Sequence, residues 1–227
     1  MSVSPAERTR GKKAIIIVDD HPLMRRGLTA LIDSEPELVV CAEAGSLQAA
    51  IKAIARRPPD LAIVDISLEG GEDGLDLVKA LKISHPALPA LVLSMHPEAI
   101  YAERALRAGA RGYLAKQQLG ETVLVAIRRV LAGRMYMTEA LEMDLASRFV
   151  GGNGKPRSPF ATLSDRELQV FRLIGEGRRT REIAPILNLS PKTIESYREH
   201  LKQKLDIDGA PELVRRAVRF VETGEIH

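Results

Sequence analysis

Cysteine is nearly absent. Cys41 is the single one in 227 residues, so no disulfide can form within the chain. Its place in the apolar run Leu38-Val39-Val40-Cys41 predicts a buried, reduced thiol suited to a reducing cytosol. Long hydrophobic runs are also missing, since none approaches the ~20 residues that span a bilayer. The basic N-terminus (Arg8, Arg10, Lys12, Lys13) is followed by only five apolar residues before Asp19, too few for a signal-peptide core. A soluble, cytoplasmic protein with no membrane partner is expected. Charge of one sign is lacking as well: Lys+Arg 33 and Asp+Glu 30 give a net +3. From Lys155 onward there are 14 Lys+Arg against 11 Asp+Glu, so the whole surplus sits in the last third and points weakly to a polyanion. Hydrophobic residues at 45% and charged ones at 28% suit ordinary globular domains, and the length suits two.

What is present begins with Leu61-Ala62-Ile63-Val64-Asp65, an apolar run ending on a carboxylate, then a polar segment from Ser67 to Gly74. It reads as a strand buried on both faces, with Asp65 at the carboxyl edge of a sheet, where open α/β folds place their chemistry. Ala14-Ile15-Ile16-Ile17-Val18 ends the same way on Asp19-Asp20. Three carboxylates at one rim repel unless neutralised, and a hard divalent cation with oxygen ligands is the natural partner. An Asp after a strand is more often just a helix cap. Two further strand ends change that balance: Leu91-Val92-Leu93-Ser94 delivers a hydroxyl, and Gly112-Tyr113-Leu114-Ala115-Lys116 an ammonium.

As a set, Asp19, Asp20, Asp65, Ser94 and Lys116, with Asp20-His21-Pro22-Leu23 and Gly109-Ala110-Arg111-Gly112-Tyr113-Leu114-Ala115-Lys116, resemble the receiver domain of two-component response regulators. Alternating elements agree: helices predicted from Pro22, Ser46, Gly74, Pro97 and Leu119 each follow a strand, giving a doubly wound parallel sheet. The resemblance implies the flavodoxin-like order 2-1-3-4-5. It also implies Asp65 as the phosphoacceptor, taking a phosphoryl group from a histidine kinase. Asp19 and Asp20 would hold Mg²⁺ together with Asp65 and the backbone carbonyl of Ser67. Lys116 would neutralise the phosphoryl oxygens, Ser94 would donate a hydrogen bond to them, and Ser94 with an inward-turning Tyr113 would form the switch.

Residues 12–134 are assigned to this domain and 135–159 to a linker, with an amphipathic helix at 138–149 and a Gly/Pro-rich hinge at 151–159. Residues 160–227 read as all helix. Ser164-Asp165-Arg166-Glu167 is a capping box, Thr180 is expected to cap a second helix, and Ser190-Pro191 opens a third. A fourth contains Leu213, Val214, Ala217, Val218 and Val221. Leu163-Ser164-Asp165-Arg166-Glu167, Glu182-Ile183-Ala184, Leu189-Ser190, Lys192-Thr193-Ile194 and Lys204-Leu205 resemble the LuxR-type helix-turn-helix domain of NarL/FixJ-class regulators. The resemblance implies promoter DNA as a partner and a homodimer when active. On the third helix Ile194, Tyr197, Leu201 and Leu205 share the packing face. Lys192, Thr193, Glu195, Ser196, Arg198, Glu199 and Lys202 are the candidate DNA contacts. Glu199 has Lys202 three residues on as an alternative partner. Pro185 is expected to kink the supporting helix.

One departure stands out. Receivers of this class commonly carry proline four residues past the phosphoacceptor and glycine eight past it; here Glu69 and a glycine at nine, Gly74, mean a loop one residue longer, bearing Glu69, Glu72 and Asp73. Two rivals follow. A haloacid-dehalogenase-like phosphatase wants an aspartate two residues past its nucleophile, and position 67 is serine, so no enzyme is expected beyond self-phosphorylation and self-dephosphorylation. The other rival is a DNA binder whose receiver is a constitutive dimer module.

Overall fold

The computed structural model describes residues 11–118, 120–151 and 159–223. It divides into two compact units, with the division between Glu139 and Ala140. In the first, β1 (Lys13–Val18), β2 (Leu38–Ala44), β3 (Leu61–Asp65), β4 (Ala90–Ser94) and β5 (Gly112–Ala115) form one sheet in the order β2-β1-β3-β4-β5. Every pairing is parallel. Between and after them run α1 (Pro22–Asp33), α2 (Leu47–Arg56), α3 (Gly74–Ser84), α4 (Glu98–Ala108) and α5 (Glu121–Leu131). The expected start of α5 at Leu119 lies outside the described residues.

Side chains alternate across a strand, so one face of the sheet presents Ile15, Ile17, Leu61, Ile63, Leu91 and Leu93. These pack with Leu28 and Ile32 of α1 and with Val123, Ala126, Ile127 and Val130 of α5. Ile16, Val18, Ala62, Val64 and Val92 point the other way and are just as buried. Covering both faces is what lets the strands be apolar runs, and it leaves only their ends for polar chemistry. Leu23 departs from the expected apolar stripe of α1: it is 82% exposed, while the helix rests on the sheet through buried Leu28 and Ile32, with Met24 and Leu31 packed beside them. Cys41 is half-buried rather than buried, and partial desolvation pushes its thiol up from the ordinary value.

Residues 135–139, read as the start of a linker, pack with the first unit. Tyr136 N donates to Arg111 O (2.9 Å) and Tyr113 N to Tyr136 O (3.1 Å), adding a short bridge beyond β5. Gly112 permits this approach, since a Cβ there would lie 2.8 Å from Tyr136 O. The amphipathic segment after Thr138 is α6 (Glu139–Gly151), and residues 152–158 of the expected hinge lie outside the described residues.

The second unit continues with α7 (Asp165–Gly175), α8 (Thr180–Ile186), α9 (Pro191–Lys204) and α10 (Gly209–Thr223). Phe160, Phe171 and Phe220 form an aromatic triangle with ring centroids 4.9–5.5 Å apart, around which α7 and α10 close. Gly175 sets their spacing, because a Cβ there would lie 2.2 Å from Ala217 O. Phe220 escaped the sequence reading, which followed the smaller residues of α10. Thr180 is the first residue of α8 rather than its cap; its hydroxyl donates instead to Glu195 Oε1 of α9 at 2.6 Å. Pro185 falls in the last turn of α8, where only one intrahelical bond is forfeited before the chain turns at Asn188, φ 53°.

The capping box of α7 closes reciprocally: Glu167 N donates to Ser164 Oγ (3.2 Å) and Ser164 N to Glu167 Oε2 (2.7 Å). Lys204 of α9 donates to the same carboxylate at 2.8 Å. Burial alone would raise the pKa of Glu167, but Lys204 and the Ser164 donors outweigh it and hold the carboxyl below its ordinary value. Ser164→Ala is expected to cost about 1 kcal/mol of stability of the second unit, read as a lower urea midpoint at unchanged m-value.

Candidate functional site

The carboxyl ends of β1, β3, β4 and β5 converge on one rim. Lys116, directly after β5, reaches back across the sheet: Nζ donates to Asp19 Oδ2 at 2.6 Å and to Asp65 Oδ2 at 2.7 Å. All three side chains are at most 4% exposed. Asp19 Oδ1 accepts from His21 N (2.8 Å), and Ser67 N lies 3.4 Å from Asp65 Oδ1. Burial pushes the Asp65 carboxyl up to about 6, with Lys116 pulling it down and Asp19 adding to the rise. Burial also works against the Lys116 charge, but Asp65 and Asp19 outweigh it and keep the ammonium protonated.

Asp19, Asp20, His21 and Asp65 each offer a ligand atom, and these atoms lie within 4.8 Å of one another. His21 Nδ1 is 2.6 Å from Asp20 Oδ1. Asp20 Oδ1, shielded from water, accepts no hydrogen bond among the described residues. A buried carboxylate oxygen left without a donor costs free energy unless a cation takes it up. This donor set fits a hard divalent ion, for which carboxylate oxygens and retained water are the usual ligands. His21 belongs to the cluster on geometry, although its spacing beside two aspartates gave no separate signal.

The loop that departs from the usual spacing is a closed hairpin. Ser67 pairs with Asp73 in antiparallel fashion, Gly74 N donates to Ile66 O (2.8 Å), and Gly70 and Gly71 take φ of 74° and 78° at the tip. Beyond that tip Gly74 meets the end of β3 where no side chain fits: a Cβ would lie 1.8 Å from Asp65 O. Two of the loop's acids are aimed away from the acid cluster. Glu72 Oε2 accepts from Leu47 N (2.6 Å) at the start of α2, and Asp73 Oδ1 accepts from Leu75 N (2.8 Å) at the start of α3. Helix N-termini hold negative charge favourably, which accounts for their direction.

Ser94, fully buried, accepts from His96 N at 3.0 Å. Tyr113 is fully buried too, its hydroxyl donating to His96 O at 2.6 Å, so the inward position expected of an activated state is the one seen here. Desolvation raises the Tyr113 phenol well above its ordinary value. The main chain of His96, a residue that no sequence motif singled out, is thus bonded to both.

On α9, Ile194, Leu201 and Leu205 are buried and Tyr197 half-buried, as its periodicity demands. Lys192, Glu195, Ser196 and Glu199 are exposed, whereas Thr193, Arg198 and Lys202 are half-buried. Thr193 is engaged at the helix start, with its hydroxyl 2.8 Å from Ser190 Oγ. Glu199 pairs with Lys202 at 2.9 Å, and Glu195, held by Thr180, lies 3.8 Å from Arg198.

A parallel sheet of this order with an acid cluster and a lysine at its carboxyl rim, followed by a helix-turn-helix, defines a DNA-binding response regulator of the two-component type. Residues 15–128 match the family described as response regulator receiver domain, and residues 161–217 match bacterial regulatory proteins, luxR family. The chain is 34% identical over 209 residues to the oxygen regulatory protein NreC of Staphylococcus haemolyticus (strain JCSC1435), covering 90% of this chain and 96% of that protein. NreC of Staphylococcus carnosus (strain TM300) is 33% identical over the same shares. Among solved structures, RcsB from Salmonella enterica serovar Typhimurium bound to promoter rprA with phosphomimetic BeF3- superposes with a TM-score of 0.68 at 28% identity, covering 91% of this chain and 98% of that one. A second Salmonella typhimurium RcsB structure gives a TM-score of 0.71 at 26% identity over 92% and 98%. The chain belongs to the response-regulator receiver family and carries a LuxR-type DNA-binding domain.

Removing the cation from this rim leaves two buried carboxylates facing each other. Lys116→Met is expected to cost about 3–5 kcal/mol at pH 8. Without Lys116 the folded-state pKa of Asp65 rises further above its unfolded value, so the folded state binds the extra proton as pH falls. The loss should therefore shrink at pH 5, as read by urea unfolding at the two pH values.

Proposed function

We propose that Asp65 is phosphorylated by a histidine kinase, with Mg²⁺, and that this modification controls dimerisation and promoter binding. The observation that carries the reading is the Lys116 bridge to Asp65 and Asp19 inside the acid cluster. A carboxylate oxygen of Asp65 attacks the phosphorus of phosphohistidine; the P–O bond forms as the P–N bond breaks, and the departing imidazole keeps the electron pair and takes up a proton. Lys116, already 2.7 Å from Asp65, moves its donors from the carboxylate to the phosphoryl oxygens without crossing the site. Ser94 donates its hydroxyl hydrogen to a phosphoryl oxygen. Asp19, Asp20, Asp65 and the carbonyl of Ser67 would hold Mg²⁺, which when bound offsets the phosphoryl charge.

Beside this rim lies an apolar hollow of about 540 Å³ lined by Leu23, Met24, Leu28, Leu31 and Met95, with His21 and Lys116 at its edge. Leu23 at 82% and Met95 at 60% exposure support a protein phosphodonor docking here. Among the described residues no helix is long and apolar enough to cross a membrane.

Promoter recognition is assigned to α9, the second helix of the helix-turn-helix, with Lys192, Thr193, Arg198 and Lys202 toward phosphates and Glu195, Ser196 and Glu199 toward base edges. Val214 and Val221, seven residues apart on α10 and 40% and 42% exposed, support pairing of two such domains. RcsB, a structural relative, is itself described as two dimers bound to two parallel DNAs.

Incubation with a small-molecule phosphodonor and Mg²⁺ should label the wild type and leave Asp65→Asn unlabelled. The same treatment should tighten promoter binding only in the wild type; equal binding by both would point to a constitutive receiver dimer. Lys192→Ala should weaken binding to all sequences alike and lower the slope of log affinity against log salt by about 1, as measured by fluorescence anisotropy titrations.

A further inference from the structure

Ser67, Ser94, Tyr101 and Tyr113 lie on four different elements, and His96, which takes no part in the acid cluster, touches all of them. Its N–H donates to Ser94 Oγ (3.0 Å), and its carbonyl accepts from Tyr113 Oη (2.6 Å). Its ring Nε2 lies 2.7 Å from Ser67 Oγ, and the ring stacks on Tyr101 of α4 with centroids 4.6 Å apart and planes 22° from parallel. Any residue at position 96 could make the two main-chain bonds. The two ring contacts need a planar side chain with a hydrogen-bonding edge.

Those contacts join the loop that follows Asp65 to α4. Tyr101 is 4% exposed, so the ring is wedged between that loop and a helix packed on the sheet. The first turn of α4 in turn holds the exit of the domain: Thr138 Oγ1 donates to Glu98 Oε1 at 2.9 Å, one residue before α6 begins.

We propose that the His96 imidazole is the positioning residue that transmits occupancy of the acid cluster to α4. This rests on the phosphoacceptor reading of Asp65. When Ser94 turns its hydroxyl toward a phosphoryl oxygen, it gives up the hydrogen bond from His96 N. When the Ser67 carbonyl turns toward the cation, the Ser67 hydroxyl is drawn with its own backbone. Both displacements act on His96, and close packing on Tyr101 passes them to the helix as a shift between discrete arrangements.

The test uses the full-length protein with Mg²⁺ and beryllofluoride as the phosphoryl mimic. Nuclear magnetic resonance follows the His96 ring and the amides of 98–108, and promoter affinity is measured in parallel. His96→Phe keeps a ring on Tyr101 but cannot bond the Ser67 hydroxyl; His96→Gln reaches the hydroxyl but cannot stack. In the wild type, beryllofluoride should shift the His96 ring signals together with the α4 amides, and Asp65→Asn should abolish both shifts. The two variants should still bind beryllofluoride, while their gain in promoter affinity falls at least about tenfold and the α4 shifts diminish. A wild-type-sized α4 response in both variants would overturn the proposal, as would wild-type α4 shifts with a silent His96 ring. If the wild type itself fails to bind beryllofluoride, the phosphoacceptor reading falls and this inference falls with it. Normal binding with normal responses in both variants removes this inference alone.

Discussion

Burying like charges side by side is the constraint on which the rest of this fold turns. Asp19, Asp20 and Asp65 reach one rim because two apolar strands leave only their ends for polar groups, and they remain there because Lys116 bridges two of them at 2.6 and 2.7 Å. The bridge compensates only part of the charge. Asp65 is still pushed up to about 6, and one oxygen of Asp20 accepts no hydrogen bond among the described residues. A site left short of positive charge in this way is disposed to take up a cation, and with it a group that brings its own negative oxygens.

The loop after Asp65 keeps that constraint intact despite its extra residue. Its two tip glycines take positive φ, and below them the loop holds the Ser67–Asp73 pairing and the close approach of Gly74 to Asp65 O. Two of the loop's acids, Glu72 and Asp73, contribute to the ends of α2 and α3 rather than crowding the cluster, as their hydrogen bonds require. Local geometry thus separates charge that the bare order of residues placed together.

Much of this was legible in order and spacing. Strand ends carrying Asp, Asp, Ser and Lys, the Ser164 capping box and the Ser190-Pro191 helix start are signals between neighbours in the chain, and the structure forms the sheet and helices they imply. What escaped depends on distant partners. Leu23 fits an apolar stripe, yet α1 lies on the sheet through other residues. Thr180 has the makings of a cap, but α9 presents Glu195 at 2.6 Å and takes its hydroxyl. Phe220 joins Phe160 and Phe171, 60 and 49 residues earlier in the chain, which no local period reveals.

Alternating apolar runs and helices determined a doubly wound sheet by themselves, because the period of a strand and the ends of a helix are set by residues a few positions apart. Charge balance along the chain likewise placed the basic surplus in the last third. Only tertiary structure decided that Lys116 spans 51 and 97 residues to meet two aspartates, that Tyr113 lies inward, and that His96 joins four elements. Those outcomes depend on which side chains arrive at the same point in space, and burial there makes each unpaired polar group costly enough to select its partner.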